Sequence, residues 1–244
     1  MRTAIIIGVV VIVLGIGVAL WVRWLSRRRV YWFERLTNAI PVHSDWWKSQ
    51  RALPGELLYV AIGDSAAQGI GASKPGRSYV GFVAAHIRRR TGRTVRVVNL
   101  GISGATIGVA VKKELPAFAK LQPDIVTVSI GANDMASFEP TRFAAELAEL
   151  YGALPPHAIV ANLPTFYFLP AEKKVRVANG LLRAAAAAHH LRVVDLHAAM
   201  RRQGAWGVTT QFAGDLFHPN DRGYRVWASA FLPAIDDRLE SLER

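Results

Sequence analysis

Serine, histidine and aspartate are the residue types of nucleophilic catalysis, and this sequence of 244 residues carries them in settings that can place them together. The apolar run 57–62 ends abruptly in Gly63-Asp64-Ser65. A buried strand that stops there delivers the Ser65 hydroxyl to a sheet edge, and in open α/β sheets ligands bind outside the carboxyl ends of the strands. Taken alone, Gly-Asp-Ser is also ordinary turn chemistry, since glycine and short polar residues favour turns. Near the C-terminus, Asp215-Leu216-Phe217-His218-Pro219-Asn220 sets an acid and a histidine three residues apart. They share one face if the segment makes a single helical turn. The carboxylate would then hold the imidazole in the tautomer that a general base needs. Asp195-Leu196-His197 is a rival pair at another strand end. It lacks the Pro-Asn turn and reads as structural. His189 and His190, within a helical stretch, read as surface or edge histidines.

Two further polar segments follow apolar runs. Asn99-Leu100-Gly101-Ile102-Ser103-Gly104-Ala105-Thr106 has glycines that permit close backbone approach or positive φ. It reads either as a strand-to-helix turn capped by Ser103 or Thr106, or as a backbone N–H aimed at an anion. Gly131-Ala132-Asn133-Asp134 reads either as an Asx turn or as a side-chain amide placed to donate to an oxyanion.

The elements that must position these groups alternate along the chain. Strand candidates are 57–62, 95–100, 125–130, 158–163 and 192–196. Helical apolar spacing covers 79–90, 107–121, 140–151, 171–190 and 221–239. Near-continuous apolar strands alternating with helices imply an α/β fold, with a parallel sheet covered on both faces. Right-handed crossovers then favour a doubly wound sandwich. After the fourth strand comes Asn162-Leu163-Pro164-Thr165-Phe166-Tyr167-Phe168-Leu169-Pro170. Loops at that rim shape the pocket, so Phe166, Tyr167 and Phe168 are expected to wall an acyl chain. The alternative is that they pack as a loop core.

The formal net charge is +12, but eight Lys or Arg against two acids in residues 1–51 carry half of it. That distribution suits a membrane surface better than a nucleic-acid groove. The absence of cysteine excludes disulfides and thiolate chemistry. Residues 4–22 form an uncharged apolar run, about 28 Å long as a helix and thus near the thickness of a hydrocarbon core. Trp21 and Trp24 sit where an interfacial aromatic belt would sit. Arg23, Arg27, Arg28 and Arg29 follow at once, which argues against a cleaved signal peptide. The expectation is a single-pass transmembrane helix over 1–29, with the domain facing the cytoplasm by the positive-inside rule. An aromatic and basic tether over 30–56, whose aromatics either lie at the headgroup region or pack on the domain's flank, and a domain over 57–244 complete the organisation.

Taken in order, Gly63-Asp64-Ser65, Ser103-Gly104-x-Thr106, Gly131-x-Asn133-Asp134 and Asp215-x-x-His218-Pro219 resemble the four blocks of the SGNH (GDSL-type) hydrolase family. The likeness is to its lysophospholipase, thioesterase and arylesterase branch. It covers roughly residues 57–240 and implies a three-layer sandwich around a five-stranded, flavodoxin-like parallel sheet. It also implies roles: Ser65 as nucleophile, His218 as general base and acid, and Asp215 orienting His218. The oxyanion hole would be the backbone N–H groups of Ser65 and Gly104 with the Asn133 side chain. The motif is not the Gly-x-Ser-x-Gly elbow, since Ala67 stands at the second glycine position. No metal-ligand spacing or phosphate-binding loop stands out, so neither metal nor cofactor is expected. The expected substrate is a small-molecule or lipid ester. A carbohydrate O-acetyl esterase and an inactive binding module on the same fold are the alternatives.

Overall fold

The structure is a computed structural model that describes residues 2–167 and 169–243, apart from the side chains of residues 2–11, 29 and 169. The chain opens with one long helix, α1 (Arg2–Arg51), and then alternates. β1 (Leu57–Gly63) leads into the short α2 (Ser65–Gln68) and α3 (Tyr79–Thr91). β2 (Val95–Asn99) is followed by α4 (Ile107–Lys113) and α5 (Leu115–Phe118). β3 (Ile125–Ser129) precedes α6 (Pro140–Gly152), and β4 (Ile159–Ala161) precedes α7 (Leu169–Ala188). β5 (Arg192–Val194), α8 (Leu196–Arg201), α9 (Gly204–Thr210) and α10 (Asp221–Leu242) complete the chain.

The five strands form one sheet in the order β2-β1-β3-β4-β5, with every neighbouring pair parallel. This is the flavodoxin-like order, in which ligands bind where the winding direction reverses, between β1 and β3. Strand side chains alternate between two cores, as the two-residue period of a strand requires. Tyr59, Ala61, Ile125 and Ile159 face one helical layer, with Tyr79 and Val83 of α3 and Trp227 and Phe231 of α10. Val60, Ile62, Val126 and Val128 face the other, with Phe143 and Leu147 of α6 and Val175 and Leu182 of α7. Both faces are dry, so the strands read as continuous apolar runs.

The helical pattern over 107–121 divides in two. Glu114 ends α4, and Pro116, which has no N–H to donate, sits in the first turn of α5. The break turns the Glu114 side chain inward, where it is buried.

The N-terminal expectation is corrected. Among the described residues, no helix is long and apolar enough to cross a membrane. This overturns the expected single-pass anchor and its cytoplasm-facing arrangement. Within α1, the described side chains of the apolar run are those of residues 12–22. The earlier part of the run lies outside the described side chains. Residues 30–51, expected as a tether, continue the same helix. Its second half packs on the domain: Leu36, His43 and Trp47 are buried. His43 Nδ1 and Trp47 Nε1 both donate to the Gln68 carbonyl, at 2.9 and 3.1 Å.

β1 is the central strand, and its last residue is closely hemmed in. A Cβ on Gly63 would lie 2.6 Å from the Ser129 carbonyl oxygen and 3.0 Å from Ala67 Cβ. Gly63→Ala is therefore expected to cost about 1–3 kcal/mol of stability, as overpacking does. A urea-unfolding midpoint equal to that of the parent chain would show instead that the β1–β3 edge relaxes freely.

Candidate active site

Ser65 begins α2 directly after β1. Asp64 caps that turn, its Oδ1 accepting from the Ala66 N–H at 2.9 Å. Gly69, in the left-handed region at φ 82°, closes it. The Ser65 side chain thus emerges at the strand end between β1 and β3, as the apolar-run-then-Ser pattern implies.

The second component comes from the loop between α9 and α10. Its ends are tied by Asn220, which donates through Nδ2 to the carbonyls of Thr210 and Phe212, both at 2.9 Å. An isolated bridge pairs Phe212 with Pro219. Within it, Asp215 and His218 do not lie on a helical turn as expected. Leu216 sits in the left-handed region at φ 58°, and this reversal folds the loop around the Asp215 carboxylate. Asp215 Oδ1 accepts from the N–H groups of Phe217 and His218, both at 3.1 Å, and Oδ2 accepts from His218 Nδ1 at 2.6 Å. Burial pushes the Asp215 carboxyl up, but the bond from His218 and the two backbone N–H groups outweigh it and hold the carboxyl below its ordinary range. His218 Nε2 lies 3.1 Å from Ser65 Oγ. With Nδ1–H committed to Asp215, Nε2 is left to accept the serine proton. The spacing from carboxylate to imidazole to hydroxyl is that of a nucleophile with its base and the base's orienting group.

Asn133 opens the 3-10 turn Asn133–Ser137 after β3. Its Nδ2 donates to the Ala105 carbonyl at 2.9 Å and reaches Asp64 Oδ2 at 3.5 Å. The second contact is at the outer limit of a hydrogen bond, so that hydrogen is the one free to turn to another acceptor. Gly104 adopts φ 80° and lines a cavity together with Ser65 and Asn133.

A further cavity of about 290 Å³ also opens at Ser65, close to the lower bound for a small-molecule site. Phe166, Tyr167, Phe212 and Phe217 wall it, and Ser65, Asn133 and His218 lie at its polar end. Of the three expected wall residues, Phe166 and Tyr167 are there, and Phe168 lies outside the described residues. Phe166 and Phe217 meet edge to face with centroids 5.9 Å apart. The rival pair does not form. Asp195 caps α8 and accepts from Asn162, while His197 donates through Nε2 to Glu172 at 2.6 Å. The other Glu172 oxygen accepts from the Phe166 N–H at 3.1 Å and Thr165 Oγ1 at 3.2 Å. His197 and Glu172 thereby hold the aromatic wall in place. Their separation of 25 residues carries no short-range signal.

Three buried acids ring the Ser65 turn. Burial raises Asp64 and Asp134 to about 6 each, although backbone N–H groups partly oppose it. Glu114, fully inside, accepts from the Gly63 N–H at 3.0 Å through Oε2. Its Oε1 has no partner among the described residues. Burial raises its carboxyl to about 8, with the neighbouring Asp64 charge adding to the effect. Sequence reasoning missed Glu114. The Pro116 break just after it is the signal that would have found it.

A parallel sheet of this order brings a hydroxyl, an imidazole and a carboxylate together at its reversal point. The GDSL-like lipase/acylhydrolase family model matches residues 61–226, more than half of the chain, and the chain belongs to that family. LAE5, described as an alpha/beta hydrolase enzyme from the metagenome of Lake Arreo, Spain, is 28% identical with a TM-score of 0.63. The match covers 75% of this chain and 97% of LAE5. Axe2, an acetylxylan esterase from Geobacillus stearothermophilus, is 22% identical over 74% of this chain and 94% of its own, with a TM-score of 0.59. TesA is 20% identical over 74% of this chain and 99% of its own, with a TM-score of 0.61. The last two likenesses carry the fold alone. No match was found among curated proteins.

The raised Glu114 group has a consequence for stability. In the native state it keeps its proton up to pH about 8, whereas unfolded it loses it near 4.5. The native state thus binds more protons between those values, and stability falls as pH rises through that window. Below about 6.5 other groups contribute: Asp64 and Asp134 act in the same direction, while buried His43 and partly buried His157, lowered by burial, act oppositely. Between pH about 6.5 and 8 the fall belongs mainly to Glu114. Melting temperature is therefore expected to decline across that interval, and Glu114→Gln to flatten the decline whatever its fixed offset. An equally steep decline in the variant would assign it to another group.

Proposed function

We propose that this chain hydrolyses carboxylic esters of apolar acyl chains through Ser65, His218 and Asp215. The observation that carries the reading is the single imidazole joining Asp215 at 2.6 Å to Ser65 at 3.1 Å at the polar end of an aromatic-walled cavity. Ser65 Oγ attacks the ester carbonyl carbon, and its proton passes to His218 Nε2. The oxyanion so formed is received by the N–H groups of Ser65 and Gly104 and by the Asn133 amide. Each such donor is worth about 2.7–4 kcal/mol in a comparable site. Collapse of the tetrahedral adduct breaks the bond to the alcohol oxygen, which takes the proton from His218. A water then gives a proton to His218 and attacks the acyl-serine carbonyl. Expulsion of Ser65 Oγ, which recovers that proton, releases the acid. Asp215 keeps Nδ1 protonated and stabilises the imidazolium throughout.

The acyl chain occupies the cavity walled by Phe166, Tyr167, Phe212 and Phe217. This apolar lining favours an acyl chain over the acetyl group of a glycan ester, because each buried methylene contributes about 0.8 kcal/mol.

Two measurements test the reading. Ser65→Ala is expected to remove p-nitrophenyl butyrate hydrolysis with the circular dichroism spectrum unchanged. His218→Ala should lose about as much, and the double variant no more than either alone, since such residues act as a unit. Hydrolysis by Ser65→Ala at the parental rate rejects the assignment. Across p-nitrophenyl esters from acetyl to octanoyl, kcat/KM is expected to rise, and Phe166→Asp to flatten the rise. A profile that peaks at acetyl and falls steadily favours the glycan deacetylase instead.

A further inference from the structure

Two cavities meet at Ser65. The second, of about 720 Å³, shares Ser65, Asn133, Phe217 and His218 with the acyl cavity but has a different outer wall. That wall is α1, through Val30, Phe33, Leu36, Thr37 and Ile40. Asp215 and Gly104 line the inner side. The family match begins within β1, past the end of α1, so this wall is an addition to the shared domain.

The seat of α1 is specific. His43 and Trp47 hold the Gln68 carbonyl at the far end of the Ser65 helix. Trp32 packs flat against Gly214, the residue before Asp215, where any Cβ would collide with the indole ring. Phe33 and Val30 nevertheless stay 70% and 57% exposed. Two large apolar side chains held open toward a cavity, on a helix already fixed by other residues, are unfilled contact surface rather than packing.

An ester presented to Ser65 has two halves, which leave the carbonyl carbon in different directions. With the acyl half in the aromatic cavity, the alkoxy half must leave by the other opening. We propose that α1 builds the leaving-group subsite, a groove of Val30, Phe33, Leu36 and Ile40 that takes the neutral, apolar alcohol half of the substrate. Glu34 on the same wall and Asp215 opposite it set carboxyl groups at the groove, which disfavours an anionic leaving group such as a phosphorylated alcohol. The substrate class is thus an ester apolar on both sides of the scissile bond. This inference rests on the reading of Ser65 as the nucleophile.

The test uses the full chain and two ester series in a pH-stat: methyl, butyl and octyl butyrate, and p-nitrophenyl esters of rising acyl length. The kcat/KM is expected to rise at least about tenfold from methyl to butyl butyrate, below the limit of about fourfold per fully buried methylene. Phe33→Asp and Val30→Asp, both at exposed positions that do not support the fold, should each cut that rise to under about threefold. The acyl-length rise should keep its slope in both variants. A flat alcohol series in the parent, or a rise that survives both substitutions, overturns the proposal. Loss of the acyl slope instead would give the groove to the acyl chain and overturn it equally. The underlying reading fails separately: activity that persists in Ser65→Ala removes the nucleophile, whereas activity that needs Ser65 but ignores the alcohol removes only the leaving-group subsite.

Discussion

The site depends on how tightly β1 ends. Gly63 pairs with Ser129 of β3 and approaches its carbonyl so closely that no side chain fits. Its N–H is taken by Glu114, a buried carboxyl from the break between two helices. The next two residues are Asp64 and Ser65. Any shift of the strand end would therefore move the hydroxyl, its capping carboxylate and the Asn133 contact together. A sheet supplies this rigidity at low cost, because the strand is buried on both faces and its register is fixed by two neighbours.

From that fixed point the remaining groups arrive on different elements. Asn133 comes from the end of β3, Gly104 from the loop after β2, and His218 with Asp215 from the loop before α10. Each loop is held by side-chain bonds to backbone rather than by its own regularity: Asn220 ties the histidine loop, and Glu172 with His197 ties the aromatic loop. Carboxylates play two opposite parts here. Asp215 collects three donors and stays ionised, ready to face an imidazolium. Glu114 has one oxygen satisfied and one bare, and stays protonated at neutral pH. Holding Glu114 neutral limits the negative potential behind Ser65.

The strands, their parallel arrangement and the four polar segments were legible because each has a local signature: an apolar run, a glycine at a strand end, an Asp and a His three apart. The turn that joins Asp215 to His218 was not, because its reversal at Leu216 uses a residue type that rarely takes positive φ. The partner of His197 was also hidden, since Glu172 reaches it across the sheet edge from another helix. Residues 1–29 were legible as a helix, but not as one that continues through the tether to Arg51. Apolar length, the positions of Trp21 and Trp24 and the arginines after them suggested a span, whereas Leu36, His43 and Trp47 lie at helical spacings that seat the second half of α1 on the domain. Short helices such as α2, α8 and α9 left little periodic signal to read.

The bond between Ser65 and His218 joins residues 153 positions apart. During synthesis at typical speeds, Ser65 is added to the chain roughly eight to thirty seconds before His218. Through that interval the hydroxyl lacks the imidazole that it meets in the folded chain. In the folded chain α10 packs beside α3, and the loop before it reaches the rim at Ser65. A chain that has not yet joined these distant segments lacks the serine–imidazole contact altogether.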